Sequence, residues 1–264
     1  MEPSAYLFAG SDVLLWKGEP EISAFDLENI ATLKFPRRRY FEWAGSAKVA
    51  IAIDDEGAAE AARRGLVRLP IRQALSNWTA EEMRPALKAL ALLNWLDGAQ
   101  YCGACGTPLV DESPGAKGED GETGARHCPS CGRVHFPRIS PAVIVLVKKA
   151  GKALLARNAR FPPGGRFGLL AGFVEAGETL EEAAHREVGE EAGIVIRNLR
   201  YVASQPWPFP DSLMLAFTAE WAGGEARPDG GEIAEVRWCG PDELPDIPPP
   251  GSVARRLIDE FLLA

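Results

Sequence analysis

Five carboxylates crowd one short stretch of this chain: Glu175, Glu178, Glu187, Glu190 and Glu191, spread over Gly172-Phe-Val-Glu-Ala-Gly-Glu178 and Arg186-Glu187-Val-Gly-Glu190-Glu191-Ala-Gly-Ile194. Thr179 followed three residues later by Glu182 is a capping-box arrangement and Gly193 is a stop signal, so the spacing predicts a helix over about 180–192. At about 100° per residue, Glu187, Glu190 and Glu191 then share one helix face. In water such neighbours repel by roughly a few tenths of a kcal/mol per pair. A hard divalent cation reverses the sign. Mg²⁺ or Mn²⁺ takes oxygen ligands, commonly one or two carboxylates plus substrate phosphate oxygens, so the pattern points to metal-assisted chemistry on a phosphate. The bland alternative is a solvated acidic helix face.

A second set of ligands precedes it. Cys102-Gly-Ala-Cys105-Gly and Cys128-Pro-Ser-Cys131-Gly are two Cys-x-x-Cys turns, each followed by glycine, with 22 residues between the pairs. Cys102, Cys105, Cys128 and Cys131 fit one tetrahedral zinc, and four protein ligands close the site, so the zinc is expected to be structural. Redox cysteines are the alternative. His127 and His135 lie nearby but find no vacant ligand position, and Cys239 falls outside the pattern. The long spacer is taken up in Glu112–Gly124, a Gly-, Glu- and Lys-rich stretch expected to form a flexible hairpin tip.

These residues need a scaffold, and composition allows one: 264 residues, 46% hydrophobic and 25% charged, suit an ordinary soluble globular protein of one or two domains. The net charge of −8 argues against strong non-specific binding to nucleic acid or to an acidic membrane. No apolar run approaches the roughly 20 residues that span a bilayer. The start, Met-Glu-Pro-Ser-Ala-Tyr, has no basic region leading into an apolar core, so a cytoplasmic protein without a signal peptide is expected.

Residues 1 to about 76 read as a small β-rich domain with a helix near Glu56–Arg64, from the short runs at Val13–Trp16, Tyr40–Trp43 and Val49–Ile53. Arg37-Arg38-Arg39 reads as a solvated strand end, with a phosphate or RNA contact as the alternative. Thr79–Leu96 carries helix signals and reads as a connector stopped by Gly98. Ala142–Val147 is an unbroken β-branched run and predicts a buried strand, with Ala153–Ala156 returning beside it after a turn. Phe161–Arg166 reads as a loop, and Phe167–Leu170 as the strand that delivers the acidic segment. Leu199–Ala203 predicts another strand. Ser204-Gln-Pro-Trp-Pro-Phe-Pro-Asp-Ser212 follows, its three prolines holding an extended, rigid aromatic loop suited to a flat heterocycle. The boundaries expected are an N-terminal β-rich domain with its helix at 1–98, a zinc ribbon at 99–137 and a catalytic domain at 138–264.

From Gly172 to Ile194 the acidic segment resembles the Nudix box, with every defining position filled. The resemblance implies an α+β fold, an α/β/α Nudix sandwich around a mixed sheet, preceded here by the zinc ribbon and the small β-rich domain. It implies hydrolysis of a nucleoside diphosphate linked to another moiety. Carried over by position, Glu187 and Glu191 become the principal metal ligands with Glu190 in support, Arg186 orients the carboxylates, and Ala171 offers a backbone carbonyl to a metal. Two or three Mg²⁺ or Mn²⁺ ions per subunit are implied, besides one structural Zn²⁺. A further metal carboxylate is expected in Glu232-Ile-Ala-Glu235; alignment with the family favours Glu232 over Glu235.

The proline-rich stretch, the four-cysteine ribbon and Phe136-Pro-Arg-Ile-Ser-Pro141 resemble the NADH pyrophosphatase subfamily of Nudix hydrolases, strongly over about 100–264 and only in outline before that. Members split NADH or NAD⁺ into nicotinamide mononucleotide and AMP, are homodimers, and in bacteria remove NAD caps from RNA. The resemblance assigns substrate contacts to Gln205, Pro206, Trp207, Pro208, Phe209, Pro210, Asp211 and Ser212, stacking to Phe173 and Phe136, a backbone approach to Ala254, and a substrate contact to Arg72. A glutamate between the cysteine pairs is also expected near the substrate, with Glu122 as a candidate. Water would attack a phosphorus of the diphosphate bridge, and either Glu190 or Glu191 would accept the proton. The rival readings are an RNA-handling protein that guides NAD-capped transcripts, a Nudix hydrolase of another dinucleotide, and a non-catalytic nucleotide sensor. A sensor should have lost a box glutamate, and none is missing.

Overall fold

The computed structural model describes residues 4–23, 26, 37–111 and 125–263. Glu122 and the spacer expected as a hairpin tip lie outside them. The chain divides into two compact units: Met1–Ile139 with Pro208–Asp211, and Ser140–Trp207 with Ser212–Ala264.

In the first unit, strands β1 (Ser4–Ala9), β2 (Asp12–Leu15), β3 (Arg37–Trp43), β4 (Ser46–Ala52) and β5 (Val67–Pro70) form a sheet in the order β3-β4-β1-β2-β5, with β1 parallel to β4. Tyr6, Leu7 and Phe8 are all buried, so β1 is covered on both faces and reads as a continuous apolar run. Helix α1 (Asp55–Arg63) is capped by Asp54, whose side chain accepts from Gly57 N. A short α2 (Ile71–Ala74) leads to α3 (Ala80–Gly98). The latter opens with a reciprocal capping box, Glu82 N donating to Thr79 Oγ1 and Thr79 N to Glu82 Oε2.

The connector helix and Arg39 both have partners within the first unit. The segment read as a connector packs along β3, β4 and β1, because buried Ala86, Leu87, Leu90 and Leu93 give α3 an apolar side. Arg39 is not a solvated strand end: its guanidinium pairs with Asp111 at 2.9 Å and donates to the Ala125 carbonyl at 3.2 Å. The cysteine turns carry a three-stranded sheet in the order β6-β7-β8, built from β6 (Val110–Asp111), β7 (Arg126–His127) and β8 (Val134–His135).

The second unit is layered. β9 (Ser140–Lys149), β10 (Lys152–Asn158), β12 (Val195–Trp207), β13 (Ser212–Gly223) and β14 (Ile233–Cys239) run in the order β12-β13-β9-β10-β14, and β11 (Leu170–Phe173) pairs with β9. β13 is parallel to β9 and the other pairs are antiparallel, so the sheet is mixed. Strand alternation sends Val143, Val145 and Val147 into one core and Ile144 and Leu146 into another. The first is closed by Ala183, Ala184 and Val188 of α4 (Leu180–Ala192), the second by Leu257, Ile258 and Phe261 of α5 (Val253–Leu262). The result is the expected α/β/α sandwich.

Two strand boundaries differ from the sequence reading. The strand expected at Phe167–Leu170 lies at Leu170–Phe173 instead, because its ladder with β9 runs from Leu170↔Val145 to Phe173↔Ala142 and so includes Gly172 itself. The proline-rich stretch is only partly a loop: β12 continues through Gln205, Pro206 and Trp207, paired with Met214, Leu213 and Ser212. β12 is the outer strand of its sheet, where a proline without an N–H can be tolerated. No helix among the described residues is long and apolar enough to cross a membrane.

Candidate active site

The acidic helix forms where the sequence predicts it. Thr179 Oγ1 accepts from Glu182 N, Glu182 accepts from Thr179 N, and Gly193 ends the helix at φ 67°, a left-handed conformation that glycine adopts without strain. Its inner face meets β11 very closely. A Cβ on Gly172 would stand 2.0 Å from the carboxylate of Glu187. Any larger residue there would push the Glu187 carboxylate away from the strand backbone it lies against.

Arg186 holds the cluster together with all five of its N–H groups. Nε and Nη2 donate to the two oxygens of Glu178 at 2.6 and 2.9 Å, Nη1 to Glu187 at 2.8 Å and Glu190 at 3.0 Å, and Nη2 also to the Phe173 carbonyl at 2.9 Å. The guanidinium drives the Glu178 carboxyl down to about 2. Glu187 and Glu191 move the other way, chiefly by desolvation. For Glu191, only 5% exposed, burial outweighs the hydrogen bond from Ala171 N, and with repulsion from Glu187, Glu232 and Asp229 it brings the carboxyl up to about 8.

That hydrogen bond, 3.0 Å from Ala171 N to Glu191 Oε2, also orients the strand. A residue in an antiparallel ladder sends its N–H and C=O to the same edge, so the Ala171 carbonyl faces the edge that meets Glu191. Of the two later glutamates, Glu235 is engaged by Arg157 at 3.4 Å and Arg237 at 2.7 Å. Glu232 is close enough to repel both Glu187 and Glu191, and its own contacts are looser: Asn158 Nδ2 at 3.4 Å and Arg160 at 3.9 Å.

A family profile described as NUDIX domain matches residues 137–261. The chain is 48% identical over 190 residues to a Chromobacterium violaceum protein named NAD-capped RNA hydrolase NudC, covering 72% of this chain and 68% of that one. The chain belongs to the Nudix family. A Deinococcus radiodurans protein of the same name is 49% identical over 66% of this chain and 60% of its own length. The matched stretch thus spans 60–68% of these Nudix relatives. The crystal structure of a Nudix hydrolase from Nitrosomonas europaea is similar with a TM-score of 0.52 and 28% identity, over 62% of this chain and 90% of that one.

The donor sets can be tested against the metals a Nudix chain of this kind implies. Among the described residues, the four cysteine sulfurs are the one group of three or more His, Cys, Asp or Glu ligand atoms gathered within 4.8 Å of one another. Cys102–Cys131 and Cys105–Cys128 are 3.7 and 3.5 Å apart, close to the edge of about 3.8 Å in a tetrahedron with Zn–S near 2.3 Å. Each knuckle is closed by backbone bonds, Gly106 N to the Cys102 carbonyl and Gly132 N to the Cys128 carbonyl, with both glycines at positive φ. These cysteines could hold one metal ion.

The carboxylates of Glu187, Glu191 and Glu232 are not drawn that close. They are oxygen donors of the right hardness, and the burial that raises Glu187 and Glu191 leaves a charge cost that a divalent cation would relieve. The residues present fit such ions.

The residues assigned to substrate have varied surroundings. Phe173 is 56% exposed at the end of β11, and Phe136 is 59% exposed in the other unit. The Gln205 amide is engaged at the start of α5, accepting from Val253 N at 2.7 Å and donating to the Gly251 carbonyl at 2.8 Å, which sets it beside Ala254. Trp207 and Ser212 form the last pair of their ladder. Arg72 lies with its guanidinium 4.2 Å above the Phe209 ring, and Arg138 pairs with Asp211 at 3.3 Å.

Sequence reasoning missed Asp229. Its carboxylate accepts from Glu232 N and Ile233 N at 3.0 and 2.7 Å, shaping the turn that presents Glu232. The signal was legible as Asp229-Gly-Gly-Glu232, an acidic residue opening a glycine turn.

Proposed function

We propose that this Nudix chain hydrolyses the diphosphate bond of NADH and NAD⁺, giving nicotinamide mononucleotide and AMP, and that it removes NAD caps from RNA 5′ ends. The observation that carries the reading is Glu191, buried against Ala171 beside Glu187 and near Glu232, in a chain 48% identical to a protein named NAD-capped RNA hydrolase. Glu187, Glu191, Glu232 and the Ala171 carbonyl would hold two or three Mg²⁺ or Mn²⁺ ions. When bound, such ions neutralise phosphate charge and lower the pKa of a coordinated water.

Arg186 fixes where the carboxylates point. Glu178 takes the bidentate face of that guanidinium, which leaves Glu187 and Glu190 with single hydrogen bonds from it. Glu190, 63% exposed at its side chain, and Glu191 are the two candidates to accept a proton. In the second unit Phe173 offers an exposed ring to a flat heterocycle, and Gln205–Trp207, Ser212 and Ala254 are the substrate contacts proposed; in the first unit Phe136 offers an exposed ring, and Arg72 and Pro208–Asp211 are the contacts proposed.

In this reading the cysteine set holds one structural Zn²⁺, and functional segments run 1–98, 99–137 and 138–264. The protein acts as a homodimer in the cytoplasm. Sedimentation of the purified protein tests the dimer. The deciding experiment compares turnover of NADH, NAD⁺, ADP-ribose, diadenosine polyphosphates and NAD-capped RNA with Mn²⁺ or Mg²⁺. Nicotinamide mononucleotide plus AMP from NADH is the expected product pair. A protein that leaves NADH intact with either metal but cleaves another dinucleotide overturns the assignment.

A further inference from the structure

Asn94, in the second half of α3, spends both N–H groups of its side-chain amide on one turn. Its Nδ2 donates to the Pro208 carbonyl at 3.0 Å and to the Pro210 carbonyl at 2.8 Å. The turn, Pro208-Phe-Pro-Asp211, follows the last ladder pair of the hairpin, Trp207↔Ser212.

Two of its four residues are prolines, so only Phe209 and Asp211 bring backbone N–H groups to it. Its carbonyls are left to donors from outside the turn, a side chain or water. A primary amide is the neutral side chain with two N–H groups on one nitrogen, one for each carbonyl. Because both partners are acceptors, the amide orientation is settled by the network itself.

The same turn is held at its other two residues: Arg72 lies 4.2 Å above the Phe209 ring, and Arg138 pairs with Asp211 at 3.3 Å. Every residue of the turn is therefore gripped by a side chain from Met1–Ile139, within the first compact unit.

We propose that Asn94 is a positioning residue for substrate. By fixing the carbonyls on either side of Phe209, it sets the conformation in which the turn presents Phe209 and Asp211, and so sets the affinity for a nicotinamide-bearing dinucleotide. The proposal rests on the function proposed above and gives α3 a task beyond covering its sheet.

The test uses the full-length metal-loaded protein with Asn94→Asp, which keeps the shape but turns a donor into an acceptor, and Asn94→Leu, which removes the donors without adding charge. Steady-state kinetics on NADH are expected to show KM raised about tenfold or more for the loss of two hydrogen bonds, with kcat changed far less and the melting temperature within a few degrees of wild type. Calorimetric binding of NAD⁺ to the metal-free protein should weaken by the same factor. An unchanged KM in both variants overturns the proposal. So does a fall in kcat and melting temperature together at constant KM, the pattern of a merely structural residue. A wild-type protein that binds NAD⁺ but cleaves no NADH overturns the functional reading alone, because the binding arm still measures the role of Asn94. A wild-type protein that does neither overturns both.

Discussion

The chain gathers anionic ligands twice, in opposite ways. The four thiols sit on two turns shaped by their own backbone, each closed by a glycine N–H bonding back to a cysteine carbonyl, and they converge to within 4.8 Å. The carboxylates come from one helix and from a turn roughly forty residues further on, and Arg186 spends two donors on the helix members Glu187 and Glu190 and three more on Glu178 and the Phe173 carbonyl. Four sulfurs saturate a tetrahedral ion and leave no position for a substrate. The carboxylates stay short of a complete set, so an ion there needs substrate oxygens to finish its shell. On the function proposed above, closure would mark a structural site and incompleteness one that waits for a ligand.

The sharpest way to break this comparison is Glu191→Gln, which keeps the shape and removes the charge. A loss of about three orders of magnitude in kcat is expected, since ion-assisted activation supplies several kcal/mol and each 1.36 kcal/mol is tenfold. Circular dichroism should show a folded protein. The pH dependence of the metal-free wild type carries the same information. The Glu191 pKa is raised from 4.5 to about 8, so the folded state holds a proton that the unfolded chain gives up. The stabilisation is therefore full below about pH 4.5 and is lost as pH rises towards about 8. The melting temperature should fall over that window, Mn²⁺ should restore more of it at the alkaline end, and Glu191→Gln should flatten the slope.

Next in size is Gly172→Ala. A methyl group 2.0 Å from the Glu187 carboxylate must displace it, so a loss of about a hundredfold in kcat/KM is expected, in line with the cost of a misplacement near 1 Å. The opposite half of the comparison is probed by Cys128→Ser. One bound metal ion should disappear from elemental analysis and the melting temperature should drop by many degrees, because a structural metal contributes folding free energy directly. Any protein that remains folded should keep a nearly normal kcat.

Both clusters were legible in the sequence because each is encoded locally. The capping box at Thr179, the stop at Gly193 and the two Cys-x-x-Cys turns are contained in windows of a few residues, and the helix begins and ends where those residues require. The misreadings concern pairing partners far away in sequence. Gly172 looked like a loop residue, yet the ladder with β9 carries the strand to Phe173. Pro206 looked like the start of a rigid loop, yet an outer position lets β12 continue to Trp207. Arg39 looked like a solvated charge because nothing near it in sequence announces Asp111 as its partner. Local chemistry was readable, and long-range register was not.

The smallest expected effect separates two glutamates that the sequence could not tell apart on residue type. Glu235 is matched by Arg157 and Arg237, the latter at 2.7 Å, and its carboxyl is held below the usual range chiefly by Arg237. Its charge is already matched by two guanidinium groups. Glu232 is held mainly through its backbone, by Asp229 on its N–H and by Ala159 N on its carbonyl, so its carboxylate is directed by the turn and contacted only loosely. Glu232→Gln should therefore lower kcat about tenfold and raise the Mn²⁺ concentration needed for half-maximal activity, the scale expected for one partner of a metal site. Glu235→Gln should change kcat by less than about threefold, as for most partly exposed ion pairs. Measured together in Mn²⁺ titrations, equal effects would mean that proximity to the acidic helix does not distinguish a ligand from a partner of arginine, and the contrast between closed and incomplete sites would lose its second member.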